Sequence, residues 1–215
     1  KNGLSTPPRP TLANLLDMAT KPRWCLGMLG TKRRGFGNIL GHVEGVSDVR
    51  SLSTWVAEQF DPTLSWEDVR WLRRIWDRKL VLKGIMTPED AETALHLGAD
   101  AIVVSNHGGR QLDGAPSTVQ ALPGIASKVG DRLEVFVDGG IASGQDVLRM
   151  RALGARGAFI GRSFLYGLGA LGEEGVRLCL EIIRKELDVT MALCGVTNIE
   201  NVDRSILIQR AGDQA

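Results

Sequence analysis

A short apolar run followed by a helix-like segment recurs four times after residue 77. The runs end in glycine or a polar residue and cover residues 80–82, 101–104, 135–137 and 158–160. Continuous apolar runs of this length are typical of strands that are buried on both faces of a parallel sheet. Repeated strand–helix units therefore predict an α/β fold with right-handed crossovers.

Helix signals separate the runs. Thr87 is a candidate N-cap, Pro88 suits the first helical position, and Gly98 can supply the left-handed residue that ends the helix. Residues 144–154 repeat this arrangement, and apolar spacing of three and four over residues 176–187 predicts a last helix.

Two architectures fit this order, an open doubly wound sheet and a (β/α)8 barrel. Both place functional residues at the carboxyl ends of their strands. The last two strands end in glycine-rich sequences, where barrels frequently bind phosphate, so the barrel is favoured. A complete barrel takes about 250 residues, and only four units are found here. We therefore expect either that another chain closes the barrel or that this chain is one piece of a cleaved protein.

Composition narrows the possible partners. The chain has 215 residues and a formal net charge of +1, which gives no reason to expect nucleic acid. The three cysteines, Cys25, Cys179 and Cys194, lack metal-ligand or disulfide spacing and are expected to be reduced thiols in a cytosolic protein. We expect no bound metal.

The strongest candidate chemistry follows the second run. His107 stands at the predicted strand end, Gly108 and Gly109 let a bulky ligand approach, and Arg110 can hold a carboxylate by two hydrogen bonds. A base beside a carboxylate clamp is what oxidation of a 2-hydroxy acid requires. The alternative, a structural histidine with a surface arginine, is disfavoured by the strand-end position and the glycines.

A predicted anion site lies on the other strand ends. Glycines after the last two strands expose backbone N–H groups beside helix N-termini, and Arg162 adds a positive charge; together they predict a phosphate cradle. Lys83, after three apolar strand residues, is either a second cation at this mouth or a solvated lysine at a strand end.

The string Ser-Asn-His-Gly-Gly-Arg-Gln at residues 105–111 resembles the signature of the FMN-dependent 2-hydroxy-acid dehydrogenase family. Within it, the tryptophan-rich stretch and residues 60–66 are most similar to the bacterial L-lactate dehydrogenases. The resemblance implies FMN as cofactor and oxidation of an L-2-hydroxy acid, expected to be L-lactate, to the 2-oxo acid. Quinone, cytochrome and oxygen all stay open as electron acceptor.

The resemblance also implies a role for each matched residue. His107 corresponds to the catalytic base and contacts the substrate, while Arg110 holds the substrate carboxylate. The implied FMN-binding positions are Lys83, Ser105, Asp138, Gly139, Gly140, Ile141, Ala142, Gly161 and Arg162. Most family members carry arginine where Ala142 stands, so we expect weaker FMN retention here.

The family resemblance further implies that this chain supplies the last four β/α units of a (β/α)8 TIM barrel. Residues 1–60 correspond to a long basic and apolar loop segment after barrel strand 4, residues 61–203 to the second barrel half, and residues 204–215 to a C-terminal tail. We expect an N-terminal half-barrel fragment of the same protein, separated by cleavage in that loop, as a partner. A homotetramer is the expected assembly.

Residues 18–43 contain no acid and interleave basic with apolar side chains. This pattern suits a segment on an anionic membrane surface, and equally a basic loop folded over the barrel mouth. The first interpretation predicts a cytoplasmic protein attached peripherally to the inner face of the cell membrane, as in mandelate dehydrogenase.

Two competing functions remain open at this point. Another FMN barrel, similar to type 2 isopentenyl-diphosphate isomerase or inosine-monophosphate dehydrogenase, would share the phosphate end but lack His107 with Arg110. A non-catalytic half-barrel that binds phosphate or membrane would tolerate loss of His107.

Overall fold

The computed structural model of the chain describes residues 11–31, 37, 39, 42–45, 49–59 and 61–208. Two compact units comprise residues 1–65 and 66–215. The division into parts 1–60, 61–203 and 204–215 stays a prediction.

Three helices form most of the described part of the first unit: α1 (Leu12–Ala19), α2 (Pro22–Gly30) and α3 (Val49–Glu58). The family resemblance implies a long loop segment for residues 1–60, and these helices lie in its described part. Short local signals nevertheless start helices. The Thr11 hydroxyl accepts the Asn14 N–H at 3.2 Å, and Pro22 stands where no amide donor is needed.

The second unit contains a parallel sheet of four strands in the order β1-β2-β3-β4. The strands are β1 (Val81–Ile85), β2 (Ala101–Val104), β3 (Glu134–Val137) and β4 (Gly157–Ala158). The helices are α4 (Trp66–Ile75), α5 (Pro88–His96), α6 (Thr118–Val129), α7 (Gly144–Ala152), α8 (Arg162–Leu171) and α9 (Glu173–Leu193). Strictly sequential strand order matches part of a barrel, since a doubly wound sheet reverses its order at a switch point.

The ends of two strands differ from the prediction. β1 continues past Lys83 to Ile85, because Gly84 adopts a φ of 101° and forms a bulge that leaves Ile85 opposite Val104. β4 is shorter than the apolar run that predicted it: Phe159 and Ile160 lie beyond the strand and border the cavity described below.

The core lies between the sheet and helices α5, α6 and α7. Its fully buried side chains include Ile102, Val104, Leu122, Ile125, Val129, Val135 and Val137. A smaller cluster joins Leu148 and Ala152 of α7 to Val202 near the end of the described chain. Within the described residues, β1 pairs only with β2 and β4 only with β3, so both edges of the sheet are open.

Helix α7 packs so closely on α9 that a Cβ on Gly144 would overlap the backbone nitrogen of Leu187. The Gly144 N–H also donates to Glu186 Oε2 at 2.9 Å, which joins the two helices at the start of α7. In the described ranges, no helix combines the length and the hydrophobicity needed to cross a membrane.

Candidate active site

A cavity of about 740 Å3 opens at the carboxyl ends of the strands. This volume is within the usual range for cofactor and substrate pockets. Except for Lys83 and Ser105, every predicted site residue borders it: His107, Arg110, Asp138, Gly139, Gly140, Ile141, Ala142, Gly161 and Arg162. Three successive β–α connections therefore meet at one site, as the barrel prediction requires.

Lys83 and Ser105 join this cavity through direct bonds to its border. The Lys83 ammonium donates to Ser105 Oγ at 2.8 Å and forms an ion pair with Asp138 Oδ2, also at 2.8 Å. Lys83 is on β1, Ser105 follows β2 and Asp138 follows β3, so the contacts cross three neighbouring strands. Lys83 therefore contacts two residues of the strand-end site while half of its side chain stays exposed, and its role in binding FMN stays a prediction.

His107 begins a 3-10 turn, His107–Gly109, whose backbone is left-handed. The φ of His107 is 56°, and His107 is the one non-glycine residue with positive φ among the described residues. Such a conformation costs on the order of 1–2 kcal/mol for a residue with a Cβ. Gly108 and Gly109 continue the left-handed backbone at φ values of 66° and 71°, which glycine adopts without strain.

Two side chains hold this turn. Ser105 Oγ accepts the His107 N–H at 3.1 Å, and Asn106 Oδ1 accepts the Gly108 N–H at 3.0 Å. The Asn106 amide also donates to the Pro116 carbonyl at 3.1 Å. The side chains of Ser105 and Asn106 therefore hold the turn that carries the predicted base, and Asn106 also connects it to Pro116.

The loop after β3 presents Asp138 and two left-handed glycines. Gly139 has a φ of 94°, and a Cβ there would lie 3.1 Å from Thr118 Oγ1 and 3.5 Å from Asn106 Oδ1. Thr118 Oγ1 donates to the Asp138 carbonyl at 2.7 Å. Gly140, with a φ of 74°, faces open space. A ligand can thus approach the backbone of Gly140 without meeting a side chain.

Only one of the two oxygens of the Asp138 carboxylate has a bonding partner among the described residues. Oδ2 pairs with Lys83, whereas Oδ1 is buried and has no hydrogen-bond partner among the described residues. A buried acceptor without a donor is costly, so this atom is suited to receive a hydroxyl or N–H from a bound ligand.

The backbone N–H groups beyond Gly140 are partly engaged within the protein. Those of Ala142 and Ser143 both donate to Asp146 Oδ2 at 3.1 Å, within the capping box that begins α7. Burial opposes ionisation of Asp146, but the bonds from Ser143 and Ala142 outweigh it and lower the pKa of this carboxyl below its ordinary value. The Ala142 amide is therefore engaged within the protein, and a contribution of this residue to FMN binding stays a prediction.

The start of α8 offers a better anion site. Gly161 is the N-cap residue, and no side chain caps the helix there. A Cβ on Gly161 would meet nothing within 4 Å, so there is free space beside this residue at the helix start, where backbone N–H groups favour an anion. Arg162 Nη2 lies 3.4 Å from the position that a Cβ would take on Gly108. The cationic end of the cavity and the His107 turn are thus adjacent.

Sequence reasoning assigned no role to Asn106, Thr118 or Asp146. Asn106 stands in the quoted string, and its bond to the N–H two residues later is a common asparagine pattern that could have been anticipated. Thr118 gave no such signal, because its partner is 20 residues away. Asp146 could have been found from the Ser143-x-x-Asp146 spacing, which resembles a capping box.

Comparison with known proteins defines the class to which this fold and site correspond. The sequence profile of the FMN-dependent dehydrogenase family matches residues 1–209. The chain belongs to this family of flavin-dependent oxidoreductases, whose cofactor is FMN.

Two relatives show how far the similarity extends. The L-lactate dehydrogenase of Caulobacter vibrioides (strain NA1000 / CB15N) is 47% identical over 205 residues, which cover 94% of this chain and 53% of that protein. The L-lactate dehydrogenase of Pseudomonas syringae pv. syringae (strain B728a) is 49% identical over 197 residues, which cover 91% of this chain and 52% of that protein. The chain thus spans about half the length of these relatives.

Solved structures agree with this placement. The monotopic membrane protein (S)-mandelate dehydrogenase matches with a TM-score of 0.84 and 35% identity, over 93% of this chain and 52% of that one. Mandelate oxidase with benzoyl-formic acid matches with a TM-score of 0.65 and 45% identity, over 68% of this chain and 44% of that one. The fold of the second unit is therefore part of a TIM barrel, its four parallel strands forming one half.

Proposed function

We propose that this chain supplies the catalytic base, a carboxylate clamp and half of the FMN site of an enzyme that oxidises an L-2-hydroxy acid, L-lactate, to the 2-oxo acid. The observation that carries the proposal is the shared cavity. It brings His107 and Arg110 together with the glycine loop after β3 and with Arg162 at the start of α8.

The residues at this cavity fit FMN. Asp138 Oδ1 is a buried acceptor suited to a ribityl hydroxyl, and Gly140 leaves its backbone accessible. The open start of α8 with Arg162 suits the phosphate. The Lys83 ammonium is a fixed positive charge beside this region, suited to the electron-rich end of a reduced flavin. Bound FMN accepts the two electrons that the substrate loses.

The remaining chemistry belongs to this chain. Arg110 holds the substrate carboxylate and so orients the carbon that is oxidised. His107 borders the same cavity and takes the proton that the substrate loses. Both residues belong to one short turn, in which the Arg110 N–H donates to the His107 carbonyl at 3.4 Å, so base and clamp are held on the same loop.

We further propose that four preceding β/α units of the same protein complete the barrel. Support comes from the relatives, which are about twice as long as the matched region, and from the open edge of β1, where Val81 is 49% exposed. The homotetramer that the resemblance implies is part of this proposal, and light scattering of the purified protein tests it.

The visible spectrum of the purified protein tests the function. Anaerobic L-lactate should bleach the flavin band, and D-lactate, the matched control, should leave it unchanged. His107→Ala should retain the flavin band but lose turnover by at least about 100-fold, the usual scale for loss of a general base. An unchanged turnover in His107→Ala would favour the non-catalytic half-barrel, and persistence of the band with every 2-hydroxy acid would reject the proposed reaction.

Attachment to an anionic membrane is a second function that a specific observation supports. Helices α1 and α2 expose large apolar side chains, namely Leu12, Leu15, Leu16, Trp24, Leu26, Met28 and Leu29. Lys21 and Arg23 lie in the same region, whereas Lys32, Arg33 and Arg34 are outside the described residues. A basic, apolar surface of this kind suits an anionic bilayer, and a membrane position favours quinone as electron acceptor.

Sedimentation with vesicles of phosphatidylglycerol and phosphatidylethanolamine tests this attachment. We expect binding that weakens in phosphatidylcholine vesicles and in the double variant Leu26→Ser, Leu29→Ser. Leu64→Ser is the matched control, since Leu64 is 73% exposed but outside residues 18–43. Equal binding of the double variant and the control would contradict the proposed surface.

A further inference from the structure

Contacts from two neighbouring elements meet on one buried hydroxyl at the active site. Ser105 directly follows β2 and is only 3% exposed, so water cannot replace a lost partner of its hydroxyl. Its Oγ accepts both the His107 N–H at 3.1 Å and the Lys83 ammonium at 2.8 Å. The same atom therefore contacts the backbone of the catalytic base and the cation beside the flavin site.

The bond to His107 acts on a strained part of the backbone. With a φ of 56°, His107 is left-handed, and its conformation needs support from its surroundings. An acceptor two residues before the N–H is the arrangement in which serine stabilises a tight turn. Without it, His107 can relax toward negative φ, which would redirect its imidazole relative to Arg110.

The other bond keeps the acceptor itself in place. Lys83 is held at its far end by Asp138 as well as by Ser105, so the ammonium cannot move without breaking an ion pair. Ser105 Oγ consequently lies between a fixed cation and the backbone that it supports. This arrangement links the orientation of the base to Lys83 of β1.

We infer that Ser105 is a positioning residue for His107: its hydroxyl holds the left-handed backbone that presents the imidazole to the substrate. The inference rests on the proposed function and adds to it a residue that acts through the base. Displacing a base by about 1 Å can cost on the order of 100-fold in rate, so a modest relaxation of the turn has a measurable effect.

Ser105→Ala tests the inference. We expect kcat to fall by about 10- to 100-fold, because the base is displaced. KM for L-lactate should stay within about twofold, because Arg110 and the cavity remain. Because Ser105 is also an implied FMN-binding position, kcat is measured per bound flavin. Ser105→Thr keeps an acceptor at the same position and should recover most of the lost kcat, which a merely space-filling role would not predict.

Thr87→Ala is the matched control. Thr87 Oγ1 also accepts a backbone N–H, that of Asp90 at 3.2 Å, but it caps α5 and does not border the cavity. We expect this variant to lose thermal stability while kcat stays at the level of the unsubstituted protein.

The outcomes separate this inference from the proposed function. If the unsubstituted protein is reduced by L-lactate and Ser105→Ala keeps its kcat, the inference fails alone. An unchanged kcat per bound flavin in Ser105→Ala that has lost part of its flavin would also overturn it, since Ser105 would then serve cofactor binding alone. If no 2-hydroxy acid reduces the unsubstituted protein, the proposed function fails first.

Hydrogen exchange gives a second measurement that needs no variant. The His107 amide should exchange far more slowly than an exposed loop amide, because its donor is engaged by Ser105. Exchange at the rate of an unprotected loop would overturn the inference even if every Ser105 variant failed to fold.

Discussion

The Lys83 ammonium and the Asp138 carboxylate form an ion pair of 2.8 Å although strand β2 lies between their strands. Lys83 is on β1 and Asp138 follows β3, so the pair spans the strand that carries Ser105. The pair is partly screened, since the side chain of Lys83 is 52% exposed and that of Asp138 is 18% exposed. It nevertheless connects β1 to the loop after β3, which borders the cavity.

Lys83→Met removes the cation and leaves the Asp138 carboxylate without a charged partner. We expect the free energy of unfolding to fall by about 1–2 kcal/mol, less than for a fully buried pair because Lys83 is half-exposed. Flavin content should fall as well. Urea unfolding measures the free energy of unfolding, and the ratio of flavin absorbance to protein absorbance measures the flavin content. Lys83→Arg, which keeps the charge, is the control. An unchanged unfolding midpoint in Lys83→Met would show that the pair contributes no stability.

The cap at the start of α7 should give a pH-dependent stability. The folded protein lowers the pKa of Asp146, so its charge stabilises the fold above the ordinary aspartate pKa, and this contribution is lost as the pH falls through the lowered value. Asp146→Asn should cost about 1 kcal/mol near pH 7. The difference from the unsubstituted protein should shrink toward pH 3. Urea unfolding at both pH values measures it, and a constant difference would exclude a role for the charge.

Gly144→Ala should destabilise the packing of α7 on α9. A Cβ there would overlap the Leu187 nitrogen and lie 2.5 Å from the Ile183 carbonyl oxygen, and backbone atoms of a helix cannot yield locally. We expect a loss of about 1–3 kcal/mol in the free energy of unfolding. Gly169→Ala in α8, where nothing lies within 4 Å of the added Cβ, is the matched control and should be neutral or slightly stabilising. Similar midpoints for both variants would contradict this close approach.

Ala142→Arg should slow the release of FMN. Ala142 borders the cavity and is exposed, so an arginine there can add a second positive charge to that of Arg162. One charge-assisted bond to phosphate corresponds to about a tenfold slower dissociation. Fluorescence of released flavin after dilution measures the rate. Ala142→Met, similar in length but neutral, controls for bulk, and equal rates for both variants would argue against a phosphate at this position.

Local features were determined by the sequence alone. Apolar runs placed all four strands, although the ends of β1 and β4 differ, because Gly84 extends one and the other stops where its residues border the cavity. Thr87 and Pro88 begin α5 as predicted. The sequence predicted that His107 follows a strand and lies near Arg110. This could be predicted because residues within one short turn are close to each other whatever the rest of the fold.

Long-range relationships were decided only by the tertiary structure. The pairing of Lys83 with Asp138, and the meeting of Lys83 and His107 on Ser105, depend on strand order and register, which bring residues from three connections to one edge of the sheet. The engagement of the Ala142 amide by Asp146 likewise depends on how the loop after β3 enters α7. Residue type and spacing predict which groups can bind a ligand, but competition among partners within the folded protein decides which groups remain available.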